Sequence, residues 1–538
     1  MVNSNQVSES NSWRKSILAL LLILGLGVAV RILHWSPSAD GDEARYINHA
    51  IALAHGTVPE YFDGAVAVRI PYLAMLAAWG KVFGFSTVAL QASGIATYVV
   101  ATFLLWVLTA RLYDGPTASV TSFLFTLLPL HIHLSTHALT DDLAFCAALA
   151  AVIVLMRARD RVRGEQSVTG EMLLVGFLTG FSIGIRQPYV LLPVVGAAWL
   201  LSEKGDATVL KKGALSFLAG AGIYVLLEMI GFQLWLGDYL FRFRHDVAGT
   251  LASSDQPAVT TLGTVEKLFR FRDYFPRLLP SGSFSFVPLL AVIAFVDRLG
   301  RRDKRALLPA LWSLIFLFYF FWGSTSLTSW SLPAVNPRYL LPTIALASVL
   351  VAAFLVDLNR AYRFTPFTIG TTALAFSAVS VWIVAYNMKP NCVTDMIKAV
   401  ARSPSAKGTR LGYPESIKRC FLPMEFWGLL DDFRLIPDEK LAQLESLDLS
   451  CIDGLIVPNE SFYRYAHIGV VDALERTKDW WEVEPIIGPK WPRYLTITGK
   501  PSNRVVGHIY WLKRGKENAL PVQTRTTNAK TPFRQEQN

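Results

Sequence analysis

Residues 16–30 read SILALLLILGLGVAV, and a few positions later residues 39–46 read ADGDEARY. The first stretch follows Arg14 and Lys15, and the second sets Asp40, Asp42 and Glu43 within four positions. A cation-flanked apolar run suits a secretory leader as well as a membrane span. No small-residue cleavage site follows it and further apolar stretches do. It therefore reads as a first transmembrane helix that is retained, with an acidic loop directly beyond it.

The rest of the chain agrees. Of 538 residues, 52% are hydrophobic and 17% charged, and the mean hydropathy is +0.36. That is too much apolar surface for a water-soluble fold. A span needs about 20 apolar residues to cross about 30 Å of hydrocarbon, and about eleven stretches qualify. They begin near Ser16, Val88, Ala118, Leu143, Glu171, Val190, Gly213, Phe286, Ala306, Tyr339 and Phe367. The net charge of +10 lies in short clusters between these stretches, as the excess of cytoplasmic Lys and Arg in membrane proteins requires, so no nucleic-acid partner is expected.

Alternate loops carry Arg111, then Arg157 to Arg163, Lys204 to Lys212, Arg298 to Arg305, and Arg360 with Arg363. These join Arg14 and Lys15 on the cytoplasmic side. The loops 35–87, 132–142, 236–285 and 325–338, and the chain after about residue 387, then lie outside. Ile70 to Phe85 is apolar but short, opens with Pro71 and contains Lys81. Counted as a span it would invert every later loop, so it reads as an interfacial helix. The expected fold is an α-helical polytopic membrane domain over residues 1–386. An extracytoplasmic α/β domain over 387–516 follows, with strand-like runs at Leu455–Val457, Tyr494–Ile497 and Val505–Trp511 and a helical run at Asp438–Leu447. A polar tail over 517–538 is expected to be disordered. Cys392, Cys420 and Cys451 fall in the outer part and Cys146 in an apolar run. One disulfide or only free thiols both fit.

Candidate chemistry gathers at the outer ends of the spans. An aspartate before a helical run is a routine helix start, and Asp42-Glu43 and Thr140-Asp141-Asp142 both fit that role. Yet carboxylates at a membrane boundary must face water, a partner or a site. Two that approach each other suit a general base or a divalent cation. Arg69, Arg186 and Arg338 stand at outer ends, against the usual charge bias. Snorkelling to headgroups accommodates them; so does an anionic ligand, because a guanidinium fork matches phosphate. Carboxylates and arginines around an apolar bundle fit a ligand with a phosphate head and a lipid tail. His133 and His137 are four apart and, with Asp141, form a candidate metal set. No cofactor is required otherwise.

At this point the motifs resemble a known family. Asp42-Glu43 with Tyr46 after the first span is similar to the first-loop acidic motif of GT-C-type glycosyltransferases, in the group of dolichyl-phosphate-mannose protein mannosyltransferases and lipid A aminoarabinose transferases. Arg69-Ile70-Pro71-Tyr72-Leu73, continuing through Trp79-Gly80-Lys81-Val82-Phe83-Gly84, resembles that family's interfacial helix. Leu128-Pro129-Leu130, Ser135 and Thr140-Asp141 resemble its second acidic loop. Arg338-Tyr339-Leu340-Leu341-Pro342 resembles a late segment opening a span. The similarity is clear over about residues 15–160, weaker to 390 and absent beyond. One proline, Pro71, stands where many members have two, and His137-Ala138 replaces a position that is often arginine.

The resemblance implies an inverting transfer of a sugar from a polyprenyl-phosphate donor to an extracytoplasmic glycan, lipid or protein. By motif position Asp42 is the base, with Glu43 and Asp141 orienting the acceptor or holding a cation. Arg338, then Arg186 and Arg69, meet the donor phosphate, and Tyr46, Asp142 and Tyr339 line the substrate. In a bacterium the site and outer domain would face the periplasm from the inner membrane. Two other classes fit less of the pattern. A transporter or flippase of a lipid-linked or anionic solute places ionisable groups near the midplane and shows repeated halves, whereas here the acidic groups lie at the outer ends and no repeat is visible. A receptor or assembly subunit leaves the acidic first loop without a role.

Overall fold

The computed structural model describes residues 4–35, 41–59, 62–164, 166–201, 207–245, 284–323 and 337–365. Beyond these it describes 368, 372, 375–380, 411–414, 433–436, 453–458, 474, 476–487 and 505–513. The chain divides into two units, Met1–Pro390 and Asn391–Asn538.

The first unit is helical, and local sequence sets most of its breaks. α1 (Ser4–Leu33) carries the opening apolar run and α2 (Gly41–His55) the acidic motif. Asp63 caps the short α3 (Gly64–Ala67), its carboxylate accepting the Ala65 N–H at 2.9 Å. α4 (Ile70–Phe83) has Pro71 in its first turn, where a missing N–H costs nothing. α5 (Thr87–Leu112) starts at Ser86, whose hydroxyl accepts the Ala89 N–H at 3.2 Å. α6 (Gly115–Thr126) starts at Asp114, which accepts the Thr117 N–H at 2.8 Å.

A single span was expected from Ala118, but the chain bends by 70° between α6 and α7 (Pro129–Ser135). The cause is Pro129, which drives the preceding Leu128 into extended backbone at φ −60°, ψ 121°. α8 (Asp141–Arg163) and α9 (Thr169–Ile185) follow, then a 3₁₀ turn at Gln187–Leu191, α10 (Leu192–Leu201) and α11 (Ala207–Leu236). After the next described residues come α12 (Val287–Gly300), α13 (Leu307–Trp322) and α14 (Leu341–Tyr362).

A helix lies at every expected span start except Phe367, which is outside the described residues. Fewer are long and apolar enough to cross a membrane alone: five among the described residues, or six if the bent pair counts as one. α9, α10 and α12 are short, and α8 is charged at both ends. Apolar periodicity does not separate a lipid-facing run from one buried in protein. α14 shows why, since 83% of its most apolar window is buried against its neighbours. The expected interfacial helix is α4, with Tyr72, Leu73 and Leu76 buried and Val82 and Phe83 exposed at its end.

α9 and α11 pack closely at Gly176 and Gly220. A Cβ on Gly176 would fall 2.0 Å from the Phe217 carbonyl oxygen, and one on Gly220 would fall 1.9 Å from that of Leu173. Backbones this near admit no side chain, as is common where membrane helices pack through small residues.

The second unit contains a five-stranded sheet in the order β2-β1-β3-β5-β4. Its strands are β1 (Leu411–Pro414), β2 (Phe433–Ile436), β3 (Gly454–Pro458), β4 (Trp481–Ile487) and β5 (Val505–Leu512). β1 pairs in parallel with β2 and β3, and β5 pairs antiparallel with β3 and β4. Leu455, Trp481 and Ile509 are buried. β3 and β5 coincide with two of the strand-like runs. Tyr494–Ile497, Asp438–Leu447, the tail, Cys392, Cys420 and Cys451 lie outside the described residues, and Cys146 is a buried free thiol.

Candidate active site

The first turn of α2 and the turn before α14 meet. Arg338 donates to Asp42 Oδ2 at 2.6 Å and to the Tyr339 hydroxyl at 3.3 Å. The other Asp42 oxygen accepts from Arg45, one turn along the same helix, and Arg45 also donates to Asp63. A line of alternating charge thus runs Asp63, Arg45, Asp42, Arg338. Burial pushes the Asp42 carboxyl up, but Arg338 beside it, with Arg45 and Arg69, outweighs this and holds it below the usual carboxylate range.

A second pair stands alongside. Arg186, at the end of α9, donates to Asp141 Oδ2 at 2.6 Å, and both are buried. The Arg186 and Arg338 guanidiniums each lie 5.2 Å from the Tyr339 ring centre, so one aromatic ring links the two pairs. Arg69, the residue before α4, completes the group. Its guanidinium is 5.4 Å from the Tyr46 ring centre, and its charged neighbours are Arg186, Asp141 and Asp42. Among the described residues no carboxylate forms an ion pair with it. Burial, then the Arg186 charge, push Arg69 down to about 9. Three guanidiniums therefore face two carboxylates, and the excess is one positive charge in a largely buried setting. An anion placed there would offset it.

The remaining candidates go elsewhere. Glu43 is buried and clasps the second acidic loop, Oε1 accepting the Ala138 N–H at 2.5 Å and Oε2 accepting from His137 Nδ1 at 2.8 Å. Asp142 is buried and turned to His131, its Oδ1 lying 3.3 Å from Nε2. The expected metal set is corrected: Asp141 is taken by Arg186, His137 by Glu43, and His133 packs its ring 4.7 Å from that of His137. Among the described residues no three His, Cys, Asp or Glu side chains are placed to hold a metal ion. Spacing along one helix suggested that set, but Thr136 ends α7 before His137 is reached.

Two parts of the arrangement escape the motif reading. Arg45 lies inside the quoted motif, yet its bridging of Asp42 to Asp63 depends on a loop of unpatterned sequence. Arg31 is fully buried near the end of α1, donating to Ser135 Oγ at 2.6 Å and to the Thr126 carbonyl at 3.2 Å. Its guanidinium also stacks 3.4 Å from the Tyr98 ring centre. A cation closing the C-terminal end of the first apolar helix is a signal of the same kind as Arg69 and Arg186.

Residues 70–232 match the family model of dolichyl-phosphate-mannose-protein mannosyltransferases. Among curated proteins no sequence matches the chain. Solved structures resemble it at low identity. ArnT from Cupriavidus metallidurans, in its apo state, aligns over 91% of this chain and 97% of its own with a TM-score of 0.51 and 12% identity. The Archaeoglobus fulgidus oligosaccharyltransferase in complex with Zn and sulfate aligns over 86% and 71%, with a TM-score of 0.54 and 12% identity. The same organism's oligosaccharyltransferase AglB, in complex with an inhibitory peptide and a dolichol-phosphate, aligns over 88% and 73%, with a TM-score of 0.52 and 11% identity. The chain is a multi-pass membrane protein of the GT-C fold.

Proposed function

We propose that this chain is a membrane glycosyltransferase that moves a sugar from a polyprenyl-phosphate donor to an extracytoplasmic glycan, lipid or protein, with inversion. Its place is the inner (plasma) membrane, with the site and the second unit facing outward. The observation that carries this is the excess positive charge of Arg69, Arg186 and Arg338 over Asp42 and Asp141. Such a site suits a phosphate whose lipid tail stays in the membrane. The match of residues 70–232 to the mannosyltransferase family and the dolichol-phosphate in the AglB complex support the donor class.

The geometry gives each group a part in the transfer. The donor phosphate enters beside Arg69 and draws Arg338 away from Asp42. Losing that cation raises the Asp42 pKa toward a range where it can take a proton. An acceptor hydroxyl or amine passes its proton to Asp42 and attacks the anomeric carbon from the face opposite the phosphate. The bond from that carbon to the phosphate oxygen breaks, and the electron pair leaves with the lipid phosphate. Arg69, Arg186 and Arg338 hold the charge that develops there. Asp141 keeps Arg186 in place, Glu43 holds the second loop against α2, and Tyr46 and Tyr339 form the aromatic walls.

The test compares glycans and lipids in envelope extracts of cells with and without the gene. A sugar missing from the deletion should return with the wild-type chain and not with Asp42→Asn at equal membrane abundance. Identical extracts, or full restoration by Asp42→Asn, would overturn the assignment.

A further inference from the structure

Beyond α11 a helical turn at residues 241–245 carries Arg242, whose guanidinium reaches three segments at once. It forms a two-pronged ion pair with Glu228 of α11, Nη2 to Oε1 and Nε to Oε2, both at 2.8 Å. It also donates to the carbonyl oxygen of Gly184 at 2.7 Å and to that of Val68. Glu228 is fixed from its other side by the Tyr224 hydroxyl, which donates to Oε1 at 2.5 Å. The fit at Gly184 leaves no room, since a Cβ there would fall 1.6 Å from the Tyr224 hydroxyl oxygen. An acid within an apolar membrane helix is costly unless paired, so the pair asks for a reason.

The reason lies in which carbonyls are gripped. Val68 immediately precedes Arg69, and Gly184 lies two residues before Arg186. Both arginines sit where regular helix gives way: Arg69 caps the start of α4, and Arg186 ends α9 in extended backbone at φ −143°, ψ 111°. Helix hydrogen bonds alone do not set the separation of two such ends, whereas a side chain bonded to both does. We infer that Arg242 is a positioning residue that fixes Arg69 and Arg186 relative to each other, and so sets the bite of the anion site for a polyprenyl phosphate. This rests on taking the arginine cluster as the donor-phosphate site. All three hydrogen bonds leave Nη2, whose two hydrogens are shared among the Glu228 carboxylate and the two carbonyls, while Nε stands 2.8 Å from the other carboxylate oxygen as a charge contact. A planar guanidinium holds that edge in one place, which a freely rotating ammonium does less well.

The experiment measures equilibrium binding of a polyprenyl phosphate to the purified full chain in detergent. Arg242→Ala should weaken binding on the order of tenfold. The same substitution should add nothing when Arg69 and Arg186 are already alanine, because the groups it positions are gone. Glu228→Gln, which keeps the shape of the clamp without its charge, should give a smaller loss with the same non-additivity, and serves if Arg242→Ala fails to fold. Equal losses in both backgrounds would mean that Arg242 only holds helices together. Unchanged binding in Arg242→Ala, with weakened binding in Arg69→Ala, would also overturn the inference while leaving the arginine cluster as the phosphate site. Absence of binding by the wild-type chain would remove that site and the inference with it.

Discussion

Arg338 and Asp42, 296 positions apart in the chain, are joined by a 2.6 Å hydrogen bond between Nη2 and Oδ2. In the proposed mechanism the group that meets the leaving phosphate is thus bonded, before any donor arrives, to the group that takes the acceptor's proton. An idle base held low by a cation is a poor base, and the ligand that removes the cation makes it a better one. Donor binding and base activation are, in the proposed mechanism, a single exchange of partners by Arg338.

Arg338→Ala separates the two roles. Transfer should fall by about 10²–10³, as when a donor to a developing oxyanion is lost, with the defect strongest at low donor concentration. The pH profile should move as well. Arg338 is the largest of the influences that lower Asp42, so removing it raises the Asp42 pKa in the donor-free chain and shifts the acid limb of the kcat/KM profile to higher pH. The acid limb of kcat, set after Arg338 has moved, stays in place. A rate profile and donor dependence identical to the wild type would exclude both roles.

His49 offers a pH effect outside the arginine cluster. Its Nδ1–H donates to the Arg45 carbonyl at 2.8 Å, and its Nε2 accepts the Asp63 N–H at 3.1 Å, which fixes the neutral form. Burial, set against the Arg45 carbonyl and Asp63, lowers its pKa below 6.5. The unfolded chain then takes up the proton first, so the stability from this clasp is complete above pH 6.5 and declines as pH falls from there toward the folded pKa. Melting temperature should drop between pH 7.5 and 5.5, and less steeply in His49→Gln. Equal slopes would show that the clasp does not titrate.

Much of this arrangement is legible in the sequence because its parts are local or chemically rare. The acidic pairs at helix starts, the arginines at the ends of apolar runs and the proline-led α4 can be found by eye, and the family resemblance orders them. What escapes is whatever depends on facing. Nothing in the run from Ala118 marks how far the chain turns at Pro129. Nor does spacing reveal that Glu43 spends both oxygens on the 137–138 loop, or that Asp142 turns to His131 while its neighbour Asp141 turns to Arg186. Adjacent residues on one helix diverge by about 100°, and which of them meets the site is decided by neighbours distant in sequence.

Arg31 tests the buried polar layer beneath the site. Removing its side chain leaves Ser135 Oγ and the Thr126 carbonyl without their donor and strips the cation from Tyr98. His131, 3.3 Å from Nη2, and Asp142 beyond it would lose a positive neighbour. Arg31→Ala should destabilise the first unit by about 3 kcal/mol, as breaking a buried charged network does. Thermal unfolding in detergent would register this, and an unaltered melting temperature would show that water substitutes for the guanidinium.

Glu43 distinguishes a clasp from a reacting group. Its two oxygens are occupied by the Ala138 N–H and His137, so the side chain joins the α2 start to the loop that ends at Asp141. Glu43→Gln can still accept from the Ala138 N–H through its amide oxygen, and only the contact to His137 needs a changed tautomer. Glu43→Ala loses both bonds and leaves a buried N–H unsatisfied, at a cost of about 1–3 kcal/mol. A clasp therefore predicts graded behaviour: Glu43→Gln should retain most abundance and transfer within about tenfold of wild type, while Glu43→Ala should lose both together. A proton-transferring Glu43 predicts the opposite pattern, with Glu43→Gln as inactive as Asp42→Asn at normal abundance. Measuring transfer per folded molecule for the three variants side by side decides which carboxylate of the pair takes part in the reaction.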